Sequence, residues 1–300
     1  VGLRQRAPYL AYRGAAAIAN AMPRPVAAAT ADGLGLVMMR AMDGRRRMLE
    51  RHLRRVHGGA LSDQALQREV RRTFRSYARY WMESFRLANT PLGALDAGMS
   101  WEGVGHLETA LAEGKGAIMV MPHLGGWDFG AAWFCALGYP VTVVAERIDP
   151  PELFDWFVRL RSDLGMRVVP LGPEAGTAVL HALNRNEVVG LISDRDIGGT
   201  GSEVEFFGER TTLPSGPATL ALRTGAPILP TAVYFRGRRG HHGVIRPPVA
   251  AERKGRLRED VDRVTQDLAR EYEALIRVAP DQWHLLQPNW PSDHEAANPA

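Results

Sequence analysis

Residues 116–137 read GAIMVMPHLGGWDFGAAWFCAL. An apolar run of strand length ends at Pro122, Gly125 and Gly126 permit a tight turn, and from Trp127 the apolar positions take on helical spacing. A strand that hands over to a helix through a glycine turn is the repeating unit of α/β proteins. The same rhythm continues downstream. PVTVVA (140–145), MRVVPL (166–171) and EVVGLI (187–192) alternate with helical stretches near 151–164 and 174–185. Such nearly continuous apolar strands predict a central, mostly parallel sheet flanked by helices on both faces. APILPTAVYF (226–235) and HHGVIRPPV (241–249) add two strands, antiparallel because RGRRG between them is short. A helix over 257–278 and the aromatic tail DQWHLLQPNW (281–290) complete the pattern.

The first 95 residues differ. Helical spacing is predicted over 8–21, in a segment opened by Pro25, over 45–57, and from an N-cap at Ser62 to about Ala88. The expectation is one domain over 1–300, with a helical portion at 1–95 and an α/β portion at 96–300. Residues 1–60 hold eleven arginines against Asp32, Asp43 and Glu50, or +8 in a chain whose total is +4. That asymmetry predicts a face turned toward an anionic partner. The single cysteine, Cys135, reads as a small buried filler. Arg13 interrupts the apolar run near the start, against a signal peptide, and Gly138, Tyr139 and Pro140 divide the uncharged stretch 129–145, against a membrane span.

The chemistry lies in the opening stretch. His123 follows the strand directly, and Asp128 falls in the first turn of the helix, where a carboxylate is favoured. The five-residue spacing predicts that Asp128 folds back onto one imidazole nitrogen and leaves the other as a general base for a substrate hydroxyl. The alternative is a helix-terminal aspartate beside an unrelated loop histidine. Arg161 and Arg195 suit a phosphate, or internal ion pairs, since Arg195 stands between Asp194 and Asp196. Glu146 is placed to orient a sugar hydroxyl or to pair with Arg147. His52, His57, His106, His181, His241 and His242 lack metal-ligand spacing and are expected at the surface or in loops.

His123 and Asp128, followed by FFGERTTLPSGPATLALRTGAPILP (206–230), resemble the HxxxxD and later motif blocks of the lysophospholipid acyltransferase superfamily. Within it the chain is most similar to the bacterial lipid A acyltransferases and, closer still, to the actinobacterial phosphatidylinositol mannoside acyltransferases. SYARYWMESFRL (76–87), PHLGGWDFGAAW (122–133), TVVAERIDPPELFDWFVRLRSDLGMRVVPL (142–171), SDRDIGGTGSEVEFFGERTTLPSGPATLALRTGAPILP (193–230) and DQWHLLQPNW (281–290) carry that likeness. It implies transfer of a fatty acyl group, palmitoyl by expectation, from acyl-CoA to a mannose hydroxyl of phosphatidylinositol mannoside at the cytoplasmic face of the plasma membrane. Neither a cofactor nor a metal is implied.

The resemblance gives His123 the role of base and Asp128 that of its support, and places Glu146, Arg147, Arg161, Asp194 and Arg195 at the substrate. That subfamily commonly carries a glutamate lining the site in this block; if Asp194 is its counterpart, the shorter side chain puts its reach in question. Another glycolipid or a lysophospholipid is the nearest alternative acceptor. A separate class of reading, a non-catalytic module that binds anionic lipid or nucleic acid, rests on RRRMLERHLRRVH (45–57), which lacks any nucleic-acid-binding signature. In the enzymatic reading, the arginine-rich helices of 4–57 approach anionic headgroups, nucleic acid is not a partner, and Leu10, Ile18, Leu36 and Met38 dip toward acyl chains.

Overall fold

The computed structural model describes residues 3–297, with side chains from Arg6 to His294. The ends of the expected 1–300 domain and the Arg4 side chain lie outside the described residues. Five helices come first: α1 (Leu3–Ala21), α2 (Arg24–Ala41), α3 (Asp43–Val56), α4 (Asp63–Leu87) and α5 (Leu92–Ala97). Then follow β1 (Met99–Glu102), α6 (Val104–Ala112), β2 (Ala117–Met121), α7 (Trp127–Ala136), β3 (Val141–Ala145), α8 (Pro151–Ser162), β4 (Arg167–Pro170), α9 (Ala175–Asn184) and β5 (Val188–Ile192). The chain continues through β6 (Ser202–Phe206), β7 (Glu209–Leu213), α10 (Gly216–Thr224), β8 (Ile228–Arg236), β9 (Gly240–Ile245), α11 (Leu257–Val278) and α12 (Pro291–Ala297).

Seven strands form one sheet in the order β1-β9-β8-β2-β5-β3-β4. Pairing is parallel except between β8 and β9, which form the antiparallel hairpin expected from their short connection. The mostly parallel α/β architecture is therefore present. Both faces of the central strands are covered, as parallel sheets require. Ile118, Val120 and Val189 pack with Val179, Leu183, Ala221, Val264 and Leu268 from the helices on one side. Ala117, Met119, Val141 and Val188 pack on the other side with Leu107 and Phe134.

Ser62 caps α4 through a bond from the Ala65 amide at 3.3 Å, as its residue type predicts. α4 is the axle of the N-terminal region: α1 and α2 lie along it through Ala16, Ala19, Ala27, Ala31, Met82 and Phe85. The basic helix α3 is not simply a solvated face. Leu49, Leu53 and Val56 are buried, and Arg51 and Arg55 reach Asp293 at 3.1 and 2.8 Å. Met38 packs on the neighbouring cluster instead of pointing outward, whereas Leu10 and Ile18 are exposed as expected. Cys135 is free and half-buried, and burial raises its thiol to about 11.

Candidate active site

The loop 122–126 is held on three sides. The Gly126 amide donates to the Val233 carbonyl of β8 at 2.8 Å, the Gly125 amide to Gln282 at 2.9 Å, and the His284 amide to the His123 carbonyl at 2.7 Å. Gly125 has φ +66°, and a Cβ there would stand 2.0 Å from the Val233 carbonyl oxygen. Only glycine fits so close a pass at that backbone angle. The C-terminal tail thus clamps the loop that carries His123.

The carboxylate that meets the imidazole is Asp194, not Asp128. Nδ1 of His123 lies 2.6 Å from Oδ1 of Asp194, and the His123 amide donates to Oδ2 at 3.0 Å. Trp283 Nε1 donates to the same Oδ2 at 2.8 Å. Asp194 is fully buried. Burial opposes its charge, but the His123 imidazole and these donors outweigh that and hold the carboxyl below its usual range. Asp194 therefore reaches the imidazole and does not itself line the cavity. With Nδ1 engaged, Nε2 is the free ring nitrogen, and His123 borders a cavity of about 320 Å³.

Asp128 has another partner for a physical reason. Arg161 of α8 donates to its two oxygens at 2.9 and 3.3 Å, and the Tyr80 hydroxyl donates at 2.8 Å. A guanidinium fork matches a carboxylate better than one ring nitrogen does, and once paired there the carboxylate does not fold back to His123. Burial works against the Arg161 charge, yet Asp128 outweighs it and raises the guanidinium above its ordinary value. Burial, followed by the Asp128 charge, pushes the Tyr80 phenol well up, so it stays a hydroxyl donor.

His123, Asp128, Glu146, Arg161 and Arg195 all line the cavity, Asp194 stands behind His123, and Arg147 lies outside. Glu146 does not pair with Arg147. It faces Arg195 at 3.7 Å, while Arg147 rests over the Phe154 ring. Asp196 turns from the site to accept the amides of Gly198, Gly199 and Gly201. Polar groups cluster at the carboxyl ends of β2, β3 and β5, and the cavity behind them is apolar. Its inner wall is built in rows by the sheet register: Met119 pairs with Gly190, and Gly190 with Val143, one row below Met121 and Ile192. Below them, Val141 pairs with Val188.

Several residues at the site escape a reading by motif. His284 borders the cavity, buried, with Nε2 on the Ser76 hydroxyl at 2.8 Å and Nδ1 without a partner among the described residues. Burial, and then the nearby His123 charge, lower it to about 3, so it is neutral. Trp127 Nε1, also at the cavity, is buried with no partner among the described residues. Trp283, His284 and Trp127 carry a signal only in the aromatic tail and the GGW turn. His52 and His241 are buried rather than superficial: His52 bridges Leu285 and Asp293, and His241 contacts Glu83. No group of metal-ligating side chains occurs among the described residues.

A histidine–carboxylate pair at the mouth of an apolar cavity is equipment for activating a hydroxyl beside a greasy substrate. Residues 4–292 match the sequence profile of bacterial lipid A biosynthesis acyltransferases. The chain belongs to this acyltransferase family. A phosphatidylinositol mannoside acyltransferase of Mycolicibacterium smegmatis is 38% identical over 84% of this chain and 82% of its own length. One of Mycobacterium tuberculosis is 41% identical over 73% of this chain and 69% of its own. The lipid A biosynthesis lauroyltransferase of Escherichia coli is a more distant relative of this acyltransferase, 25% identical over 88% of the chain and 85% of its own length.

Proposed function

We propose that this acyltransferase moves a fatty acyl group from acyl-CoA to a mannose hydroxyl of a phosphatidylinositol mannoside. The observation that carries the mechanism is the 2.6 Å contact of His123 Nδ1 with buried Asp194. Nε2 takes the proton of the acceptor hydroxyl as its oxygen attacks the thioester carbonyl. The tetrahedral adduct then collapses, the C–S bond breaks, and the imidazolium returns its proton to the CoA sulfur. Asp194 fixes the tautomer and balances the imidazolium charge. Glu146 and Arg195 offer an acceptor and a donor to a sugar at the mouth. Purified protein, palmitoyl-CoA and a panel of acceptors test this reading: thiol release should require the mannosylated phosphoinositide, and equal release with water alone or any alcohol would reject it.

The site is read as working at the cytoplasmic face of an anionic plasma membrane. Support comes from the outer face of α1 and α2, where Leu10, Ile18, Val26, Leu34 and Val37 are exposed. No helix among the described residues is long and apolar enough to cross a membrane.

The cavity wall implies a chain-length prediction. A Cβ at Gly190 would lie 3.3 Å from Val143 Cγ1, so the absence of a side chain at 190 keeps the middle row open. Rows repeat about every 6.6 Å along a strand. A leucine at 190 blocks the row below and removes space for roughly five methylenes. Gly190→Leu should therefore reduce turnover of palmitoyl-CoA about tenfold or more while an eight-to-ten-carbon donor is spared, as the loss of about two buried methylenes already suffices at about 0.8 kcal/mol each. A chain-length profile of kcat/KM checks it.

A further inference from the structure

Three donors fix the Asp194 carboxylate, and they are not equivalent. Oδ1 meets His123 Nδ1 at 2.6 Å, while Oδ2 accepts the His123 amide at 3.0 Å and the Trp283 indole N–H at 2.8 Å. Two of the three belong to His123 itself, so they tie Asp194 to that residue and to nothing else. Trp283 is the donor that refers the pair to the rest of the fold. Burial works against the Asp194 charge, and Trp283 stands next after His123 among the groups that offset it.

Trp283 is held rigidly enough for that task. The tail runs beside the catalytic loop, with Trp283 bridged to Leu124. In extended backbone successive side chains point to opposite sides. His284 accordingly borders the cavity, and Trp283 passes behind His123 to Asp194. Its indole is fully buried, with the rings of His52 and Phe207 at 5.5 and 5.9 Å. His52 is in turn fixed at both ring nitrogens, by the Leu285 carbonyl and by Asp293. An indole N–H can only donate, so it demands an acceptor at Oδ2 and no other arrangement of the carboxylate satisfies it.

We propose that Trp283 is a positioning residue for acyl transfer: its indole N–H holds the Asp194 carboxylate in the orientation that aims the His123 imidazole at the acceptor hydroxyl. The inference rests on the His123–Asp194 reading of the catalytic site. Asn289 reinforces the hold, since its Nδ2 donates to the Asp194 carbonyl at 3.0 Å. Without the indole donor, His123 and Asp194 keep their mutual contact but swing together, and fewer molecules present Nε2 in line with the hydroxyl. Substrate binding is not touched, because Trp283 does not border the cavity.

The test compares Trp283→Phe with Trp290→Phe. Both remove a fully buried indole from one aromatic cluster, but Trp290 Nε1 donates to the Phe206 carbonyl at 3.2 Å and not to Asp194. Steady-state kinetics with palmitoyl-CoA and phosphatidylinositol mannoside, expressed per folded molecule, are measured with urea unfolding. Partners behind a functional histidine are worth about 10–100-fold at metal sites, and a fall of that order in kcat is expected for Trp283→Phe, with KM unchanged. Trp290→Phe should lose similar stability and keep wild-type kcat. In an Asp194→Ala background, followed with radiolabelled palmitoyl-CoA, Trp283→Phe should cost nothing further, because the acceptor it serves is gone. The same factor in both backgrounds, or equal losses of kcat in Trp283→Phe and Trp290→Phe, would reduce Trp283 to a packing role. Asn289→Ala leaves the indole slot intact and should also lower kcat at constant KM; if Trp283→Phe does not fold, wild-type kcat in Asn289→Ala overturns the proposal. Full activity in Trp283→Phe alongside loss in His123→Ala and Asp194→Ala would remove this inference alone, whereas full activity in those two would remove the catalytic reading beneath it.

Discussion

His123→Ala and Asp194→Asn should each abolish most of the acyl transfer while leaving the protein folded. Removal of a positioned base costs about 10²–10⁴-fold. In Asp194→Asn the imidazole stays, but its partner changes character. A carboxylate can only accept and so requires Nδ1–H; an amide can present its NH₂ and select the opposite tautomer, with the proton on Nε2, where it cannot act as base. A loss of about 10³–10⁴ is expected by analogy with the effect of the same substitution in serine-protease triads. Asp194 also accepts from the His123 amide and Trp283, so Asp194→Glu provides the control. It keeps charge and acceptor character and should recover much of the rate. The readout is kcat for thiol release against pH. Wild-type turnover in either His123→Ala or Asp194→Asn would remove the proposed base.

The contrast between Asp194 and Asp128 shows where sequence spacing stops being informative. The strand-turn-helix pattern of 116–137 is legible in the sequence because apolar periodicity and two glycines determine local structure, and these are properties of neighbouring residues. The same is true of α11, whose bounds match the helix expected over 257–278. Which carboxylate reaches His123 is not local. Asp194 lies 71 residues on, brought alongside by the parallel pairing of β2 with β5. A spacing of five residues suggested the nearer partner, Arg161 from α8 took it, and no window on the sequence displays that competition.

Other features were hidden for different reasons. β6 and β7 have alternating burial, but the hairpin turns through Phe207 at φ 51° and Gly208 at φ 75°. A bulky residue in left-handed geometry is not the Asn-Gly signal that marks such turns. The four-residue β1 is too short to show a period. The basic run of α3 was legible as charge and illegible as structure, because the anchor of Arg51, His52 and Arg55 is Asp293, near the other end of the chain. Through it the tail is tied to the helices, and Trp283 and Asn289 bring that tail to Asp194.

Asp128→Asn should fail by a different route from Asp194→Asn, through stability before chemistry. The Asp128 side chain is 10% exposed and that of Arg161 is 20% exposed, so the pair is largely withdrawn from water. Removal of one member leaves the other charged in a wall that also contains Phe157 and Trp81. Breaking a buried pair in this way costs about 3–5 kcal/mol, a large part of the 5–15 kcal/mol that holds a typical domain. Urea unfolding of Asp128→Asn and Arg161→Met should show losses of about that size. Removing both charges together, in Asp128→Asn/Arg161→Met, should recover much of the loss, because no uncompensated charge remains. Turnover per folded molecule provides the decisive comparison. In the double variant it should stay well above that of Asp194→Asn, since Tyr80 can still hydrogen-bond residue 128 and the His123–Asp194 contact is intact. A double variant as inactive as Asp194→Asn, yet as stable as wild type, would mean that Asp128 acts on the imidazole after all.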